Sequence, residues 1–235
     1  MISGNKPALA LAIAAAVLGT AASAQMQEAA VPSTAASAAS ECELHVWPAE
    51  RFNAMTTGWL SGFGVVGAVA DAAGNADKNK DNRTQIAAAL DSQGQVDALT
   101  SMNLVELLKA KPSRIVVHSE ALDRKTINKI DTRRAQSTSP CYAELIVADV
   151  FYHKAAIYGR SLKTLFMYRN FGTSEKKPAI YKAWGGNGLK LFPPKDGEDV
   201  QAANSELVSV FKANFEEFAK NARGNAATSG KTAAR

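Results

Sequence analysis

The stretch from Cys141 to Gly172 constrains the fold more than any other part of this chain. Val, Ile, Tyr, Phe and Leu crowd Tyr142 to Tyr152, with Pro140 ahead and Gly159 behind. β-Branched and aromatic residues favour a pleated, extended backbone, and the flanking Pro and Gly mark its limits. Both alternating sets of side chains are apolar in the middle, one running through Ala143, Leu145 and Val147, the other through Glu144, Ile146 and Ala148. That pattern predicts a central strand covered on both faces. Gly159-Arg160 reads as the turn into a second strand, Ser161 to Arg169, which Asn170 to Gly172 stops. Asp149 and His153 sit two strand steps apart on one face, either as a proton-transfer pair or as ordinary hairpin-end polar residues.

The amino terminus reads as export machinery. Lys6 precedes an apolar run from Ala8 to Leu18, and Ala22-Ser23-Ala24 supplies small residues at the cleavage positions. Residues 1–24 are therefore expected to be a secretory signal peptide, cut before Gln25, because the run is too short to span a bilayer. Residues 25–41 are rich in Ala, Ser, Thr and Pro and are expected to be a disordered linker. A single α/β (α+β) domain is expected over 42–222, and a disordered basic tail over 223–235.

Export puts the chain where disulfides form. Its two cysteines, Cys42 and Cys141, allow one pairing, which would staple the head of the first strand to the head of the central one. The alternative is two buried free thiols. Neither cysteine has a CxxC partner or a ligand cluster, so no metal and no cofactor is expected. Loss of the leader removes Lys6 and lowers the net charge from +5 to +4. That charge is mild, and no basic-aromatic array points to nucleic acid.

Thr56 to Ala73 is an apolar run interrupted by Gly58, Gly62, Gly64 and Gly67, with Trp59 and Phe63 between them. Residues 62–67 match GxGxxG, but no strand is expected before it, so a dinucleotide fingerprint is disfavoured. The segment reads either as close-packed backbone or as a contact for membrane, partner or a second copy, since small residues admit close approach and Trp favours interfaces. Asp77 to Arg83 opens like a calcium loop but has Asn82 and Ala88 where glycine and glutamate are needed, which leaves a charged loop.

The remaining elements follow from periodicity and punctuation. Cys42 to Trp47 alternates and stops at Pro48, so it reads as a first strand. Thr84 to Leu99 reads as a helix, with Gly94 its weak point, and Asn103 with Glu106 forms a capping box for Leu104 to Ala110. Arg114 to Ser119 reads as a strand. His118, Ser119 and Glu120 adjoin in sequence, but strand neighbours point to opposite faces, which disfavours a catalytic trio. Leu122 to Ala135 is basic, either a solvated face or an anion patch. Ala179 to Trp184 and Leu189 to Phe192 read as short strands around a Gly185–Gly188 turn. Asp196 is expected to cap an amphipathic helix carrying Val200, Ala203, Leu207, Phe211, Phe215, Phe218 and Ala222.

The expected architecture is thus one mixed sheet with a long central antiparallel hairpin, packed by helices that include a long C-terminal one. This order of elements resembles the α/β module of the curli-secretion-channel family and the N-terminal domain of the Tol-system propeller protein. CELHVWP, RIVVHS, CYAELIVADVF and SLKTLFMYRNFG carry the resemblance, across roughly residues 42–220. The chain lacks the lipoprotein cysteine of several of those relatives. The resemblance implies an exported cell-envelope protein, at the periplasm or outer-membrane periphery of a Gram-negative-type bacterium. A non-enzymatic interaction module is expected, contacting an envelope protein, a membrane surface or itself. A soluble periplasmic ligand-binding protein and a secreted hydrolase are the alternatives. No catalytic residue is assigned.

Overall fold

The computed structural model describes residues 41–50, 52–58, 70, 72–111, 113–123 and 125–232, with side chains through Arg223. The signal peptide, nearly all of the linker, and Trp59, Gly62, Phe63, Gly64 and Gly67 of the glycine-rich segment lie outside the described residues.

A mixed six-stranded sheet organises the chain. The strands are β1 (Cys42–Trp47), β2 (Phe52–Thr57), β3 (Ser113–Val117), β4 (Tyr142–Ala155), β5 (Gly159–Gly172) and β6 (Ala179–Leu189). The order is β3-β1-β4-β5-β6, with β2 pairing β4 off that path. β1 lies parallel to β3 and β4, and β4-β5-β6 is an antiparallel meander. β1 and β2 serve the same edge of β4 in tandem: Trp47 lies beside Ile146 and Phe52 beside Val150. Pro48, which cannot donate to a ladder, falls in the gap between them.

β4 is buried on both faces over most of its length, as its composition predicts. It reaches this with a bulge. The pairing with β5 slips between Val147 and Asp149, so Leu145 and Val147 face the main core before the slip, and Val150 and Tyr152 face it afterwards. The turn falls at Ala156–Tyr158, three residues earlier than Gly159-Arg160. Gly159, at φ +74°, closes it in a conformation that side chains resist.

The helices are α1 (Ala76–Ala89), α2 (Ser92–Thr100), α3 (Leu104–Leu108) and α4 (Val200–Thr232). The charged 77–83 segment is helical, and the expected single helix breaks at Leu90-Asp91, where the Asp91 carboxylate accepts from the Gly94 N–H and restarts the chain. Asn103 caps α3 as its sequence implies, and Lys109 in the left-handed region ends it. Asp199, not Asp196, caps α4 by accepting from the N–H groups of Gln201 and Ala202. The helix runs past Ala222 to Thr232.

α4 covers one sheet face. Ala203, Leu207, Phe211, Phe215 and Phe218 are fully buried and meet Phe166, Leu162 and Tyr152 in the main core, while Val200 stays exposed. At about 1.5–3 kcal/mol per large apolar side chain, this stripe contributes on the order of 10 kcal/mol of gross burial energy. The glycines near residue 186 are not a turn: β6 is continuous through them. Gly185 is where α4 touches the sheet, since a Cβ there would stand 2.0 Å from the Asn214 carbonyl oxygen.

Candidate functional site

The sheet's second face carries a buried polar cluster. On β1 the alternation that sends Leu44 and Val46 into the main core turns Glu43, His45 and Trp47 the other way. Beside them β4 presents Tyr142, Glu144 and Ile146, and β5 presents Arg169 and Met167. Residues 120–123 and 125–137 lie over this face, largely irregular apart from one β-bridge between Thr132 and Lys176, and pack Leu122, Ile127 and Ala135 onto Trp47, Ile146 and Met167.

The cluster has two tiers. In the lower one, Arg169 donates to Glu144 at 2.6 Å, and both are buried. Glu144 also accepts from the Tyr142 hydroxyl at 3.1 Å and the Arg134 backbone N–H at 2.9 Å. The Arg134 guanidinium lies 3.5 Å from Glu144, and its side chain is only 4% exposed. Arg169 and Arg134 donate further to the carbonyls of Ile130 and Ile127. An irregular segment must place its backbone polar groups somewhere, and here buried charges receive them. The basic 122–135 run is therefore not simply a solvated face, since Arg134 points inward. Burial and the neighbouring Glu144 carboxylate push the Tyr142 phenol well above its usual range, and burial lowers Arg134.

The upper tier is a relay. Glu43 accepts from Arg114 at 2.5 Å and from the Ser137 hydroxyl at 2.5 Å, and lies 3.1 Å from His45 Nε2. His45 Nδ1 lies 2.9 Å from His118 Nε2, and the His118 ring stacks on Trp47 with centroids 4.0 Å apart. Burial pushes the Glu43 carboxyl up, but hydrogen bonds from Ser137, His45 and Arg114 outweigh it and hold the pKa at about 2. An ionised Glu43 only accepts, so His45 Nε2 carries the proton. Neutral His45 then accepts at Nδ1, His118 donates from Nε2, and His118 Nδ1 keeps a free lone pair. Burial lowers both histidines, which favours this neutral arrangement.

The other sequence-derived candidates are dispersed. Cys42 and Cys141 are disulfide-bonded, with Cα atoms 4.6 Å apart. Gly58 is half-buried beyond the end of β2. His118 joins the relay, while its sequence neighbours Ser119 and Glu120 are exposed. Asp149 accepts from Asn53 at 2.6 Å. His153 faces Thr57 at 3.4 Å and stacks on Phe151, and burial together with Lys163 lowers its pKa. Glu43, His45, Glu144 and Arg169 were not singled out by the sequence, and Arg134 only as one cation of the basic 122–135 run. The signal for the first two was the period-two spacing of Glu43, His45 and Trp47 on a strand whose other face is Leu44 and Val46. Among the described residues no group of three or more His, Cys, Asp or Glu could hold a metal ion, and no helix is long and apolar enough to cross a membrane. A recess of about 90 Å³ opens beside the disulfide, lined by Lys111, Tyr142, Tyr168 and Asn170 among others.

No protein family matches the chain, and no curated protein matches it. Among solved structures, one titled "Crystal structure of uncharacterized protein" is similar at 12% identity and a TM-score of 0.23, with 80% of this chain and 91% of that chain covered. At that TM-score the likeness carries no argument.

Proposed function

We propose that this chain is an exported cell-envelope protein that works by binding rather than by catalysis, at the periplasm or outer-membrane periphery of a Gram-negative-type bacterium. The observation that carries this reading is the occupancy of the polar cluster. Both oxygens of Glu43 and of Glu144, and both ring nitrogens of His45, are engaged by groups of the chain itself. Such a cluster fixes a covering segment in place instead of presenting acids and bases to a substrate. The Cys42–Cys141 disulfide supports export to an oxidising compartment.

Cell fractionation of a Gram-negative host expressing the full chain tests this. The expected result is oxidised protein in the periplasmic or envelope fraction, with part of it retained on membranes or in assemblies larger than a monomer. Reduced protein in the cytoplasm, or a monomer wholly free of envelope and partners, rules it out.

A second reading, a secreted hydrolase, rests on the free Nδ1 lone pair that the relay leaves on half-buried His118. A His118→Ala, His153→Ala double variant with undiminished hydrolysis of any substrate found would eliminate it.

A further inference from the structure

Ile157 and Tyr158 form the tip of the β4–β5 hairpin and are each 88% exposed, well above the next large apolar residues at 57% among the described residues. They stand at the end of two 14-residue strands, and the end of β2 is tied in beside them where the Ala156 N–H donates to the Thr57 carbonyl. An exposed apolar pair on a braced hairpin forgoes burial energy of about 1.5–3 kcal/mol for a large side chain, and Tyr adds a polar end to an apolar body.

The hairpin and its neighbour strand carry cations and no acid near the tip, and the carboxylate that feels Arg160 is Glu206 on α4, which accepts from the Lys190 N–H at the start of the segment after β6. From Val150 through Ser174 the chain contains no Asp or Glu, and β2 alongside contains none either. Lys154 and Arg160 face each other across the hairpin, one pair behind the closing Ala155–Gly159 pair, and Lys163 lies opposite Phe151 three pairs further back. Lys154 and Lys163 are exposed. Among the described residues neither makes an ion pair, whereas Arg160 donates to the backbone carbonyls of Pro193 and Lys190 and lies near enough to Glu206 to help hold that carboxyl below its usual range.

We propose that this tip docks on an anionic lipid surface, with Ile157 and Tyr158 entering the headgroup region and Lys154, Arg160 and Lys163 meeting the phosphates. At a rise of ~3.3 Å per residue, the cations stand roughly 5–15 Å behind the tip. Apolar residues of interfacial anchors sink about 5–10 Å, which brings Lys154 and Arg160 to headgroup depth. Tyr is a residue favoured at that boundary, and cations near an anionic surface are drawn to it within a Debye length. This site rests on the envelope reading above but is separate from the glycine-rich segment.

Vesicle flotation with the full chain tests the proposal, using phosphatidylcholine vesicles with and without about one-third phosphatidylglycerol. The probes are wild type, Ile157→Ser/Tyr158→Ser and Lys154→Gln/Lys163→Gln, each with its thermal midpoint measured, since all four side chains are exposed and the fold should not change. Wild type is expected to float with the anionic vesicles. Each double variant should lose at least about tenfold in apparent affinity, as should wild type in 0.5 M salt, where the Debye length shrinks to several ångströms. Equal binding by wild type and the tip variant overturns the proposal, and so does equal binding to vesicles without phosphatidylglycerol. No flotation of wild type at millimolar lipid also overturns it. If the tip variant binds vesicles as wild type does, or wild type binds none, while the protein still fractionates with envelope assemblies, only the lipid inference falls and the envelope reading stands.

Discussion

Arg169 Nη1 stands 2.6 Å from Glu144 Oε2, and neither side chain reaches solvent. Removing one partner leaves the other charged and buried, which costs about 3–5 kcal/mol, much more than an exposed pair would. Arg169→Ala is therefore expected to lower unfolding free energy by that amount in urea titrations. It should also free the 120–137 segment, read as faster amide exchange around Ile130 to Arg134. A loss under ~1 kcal/mol would show that the pair is dispensable.

Gly185 and Gly186 are adjacent on β6 but differ in what surrounds them. A methyl at Gly185 meets the α4 backbone, whereas at Gly186 it meets only the Lys163 side chain at 3.2 Å. Gly185→Ala is expected to cost about 1–3 kcal/mol or more by forcing the helix from the sheet. Gly186→Ala is expected to stay within about 0.5 kcal/mol of wild type. Equal effects in the two variants would mean that α4 does not approach the sheet at Gly185.

The Cys42–Cys141 bond closes a loop with a sequence separation of 99. Replacing both residues with Ser is expected to cost about 2–5 kcal/mol, seen as a lower denaturation midpoint in urea. Reduction of the wild type should produce the same shift, and an unchanged midpoint would contradict it.

The relay makes stability pH-dependent in two steps. His45 and His118 have lowered pKa values in the folded state, so the unfolded chain binds more protons as pH drops through about 6.5, and stability falls there. Each histidine held neutral contributes at most ~1.4 kcal/mol per pH unit to that fall. Glu43, held at about 2, adds stability above its unfolded value near 4.5 that is lost between 4.5 and 2. Urea midpoints at pH 7.5, 5.5 and 3.5 should fall in that order, and His118→Gln should flatten the first interval. A midpoint that rises from pH 7.5 to 5.5 would refute the neutral relay.

Strands with period-two composition were legible in the sequence. β1, β3, the central pair and the C-terminal aromatic stripe all follow from residues whose local preference and burial agree. β2 was not legible. Phe52 to Thr57 is a weakly apolar stretch that becomes a strand only because the exposed edge of β4 is available beside Val150. The glycines of β6 were misleading for a related reason. In isolation Gly185-Gly186-Asn187-Gly188 is turn chemistry, and only the approach of Asn214, far along the chain, explains a strand there.

The polar cluster was hidden by the same distance effect. Glu43, Arg134, Glu144 and Arg169 come from four separate stretches, and a lone charge in a strand pattern looks like an edge or a solvated position until its partner is placed. His118 was flagged for the wrong neighbours, and Arg134 only as one of a run of cations. The companions of His118 lie across a parallel strand pair, in which His45 stands beside Val116.

The position of the disulfide has a mechanical meaning. Tension applied to the chain ahead of Cys42 does not load the first hydrogen bonds of β1 one at a time. It passes through a covalent bond into Cys141 and so into β4, which is gripped along its length by β5 and, in tandem, by β1 and β2. A leash attached at that end therefore pulls on the middle of the sheet, and β1 cannot be peeled from β3 and β4 from its amino-terminal side while the bond is intact.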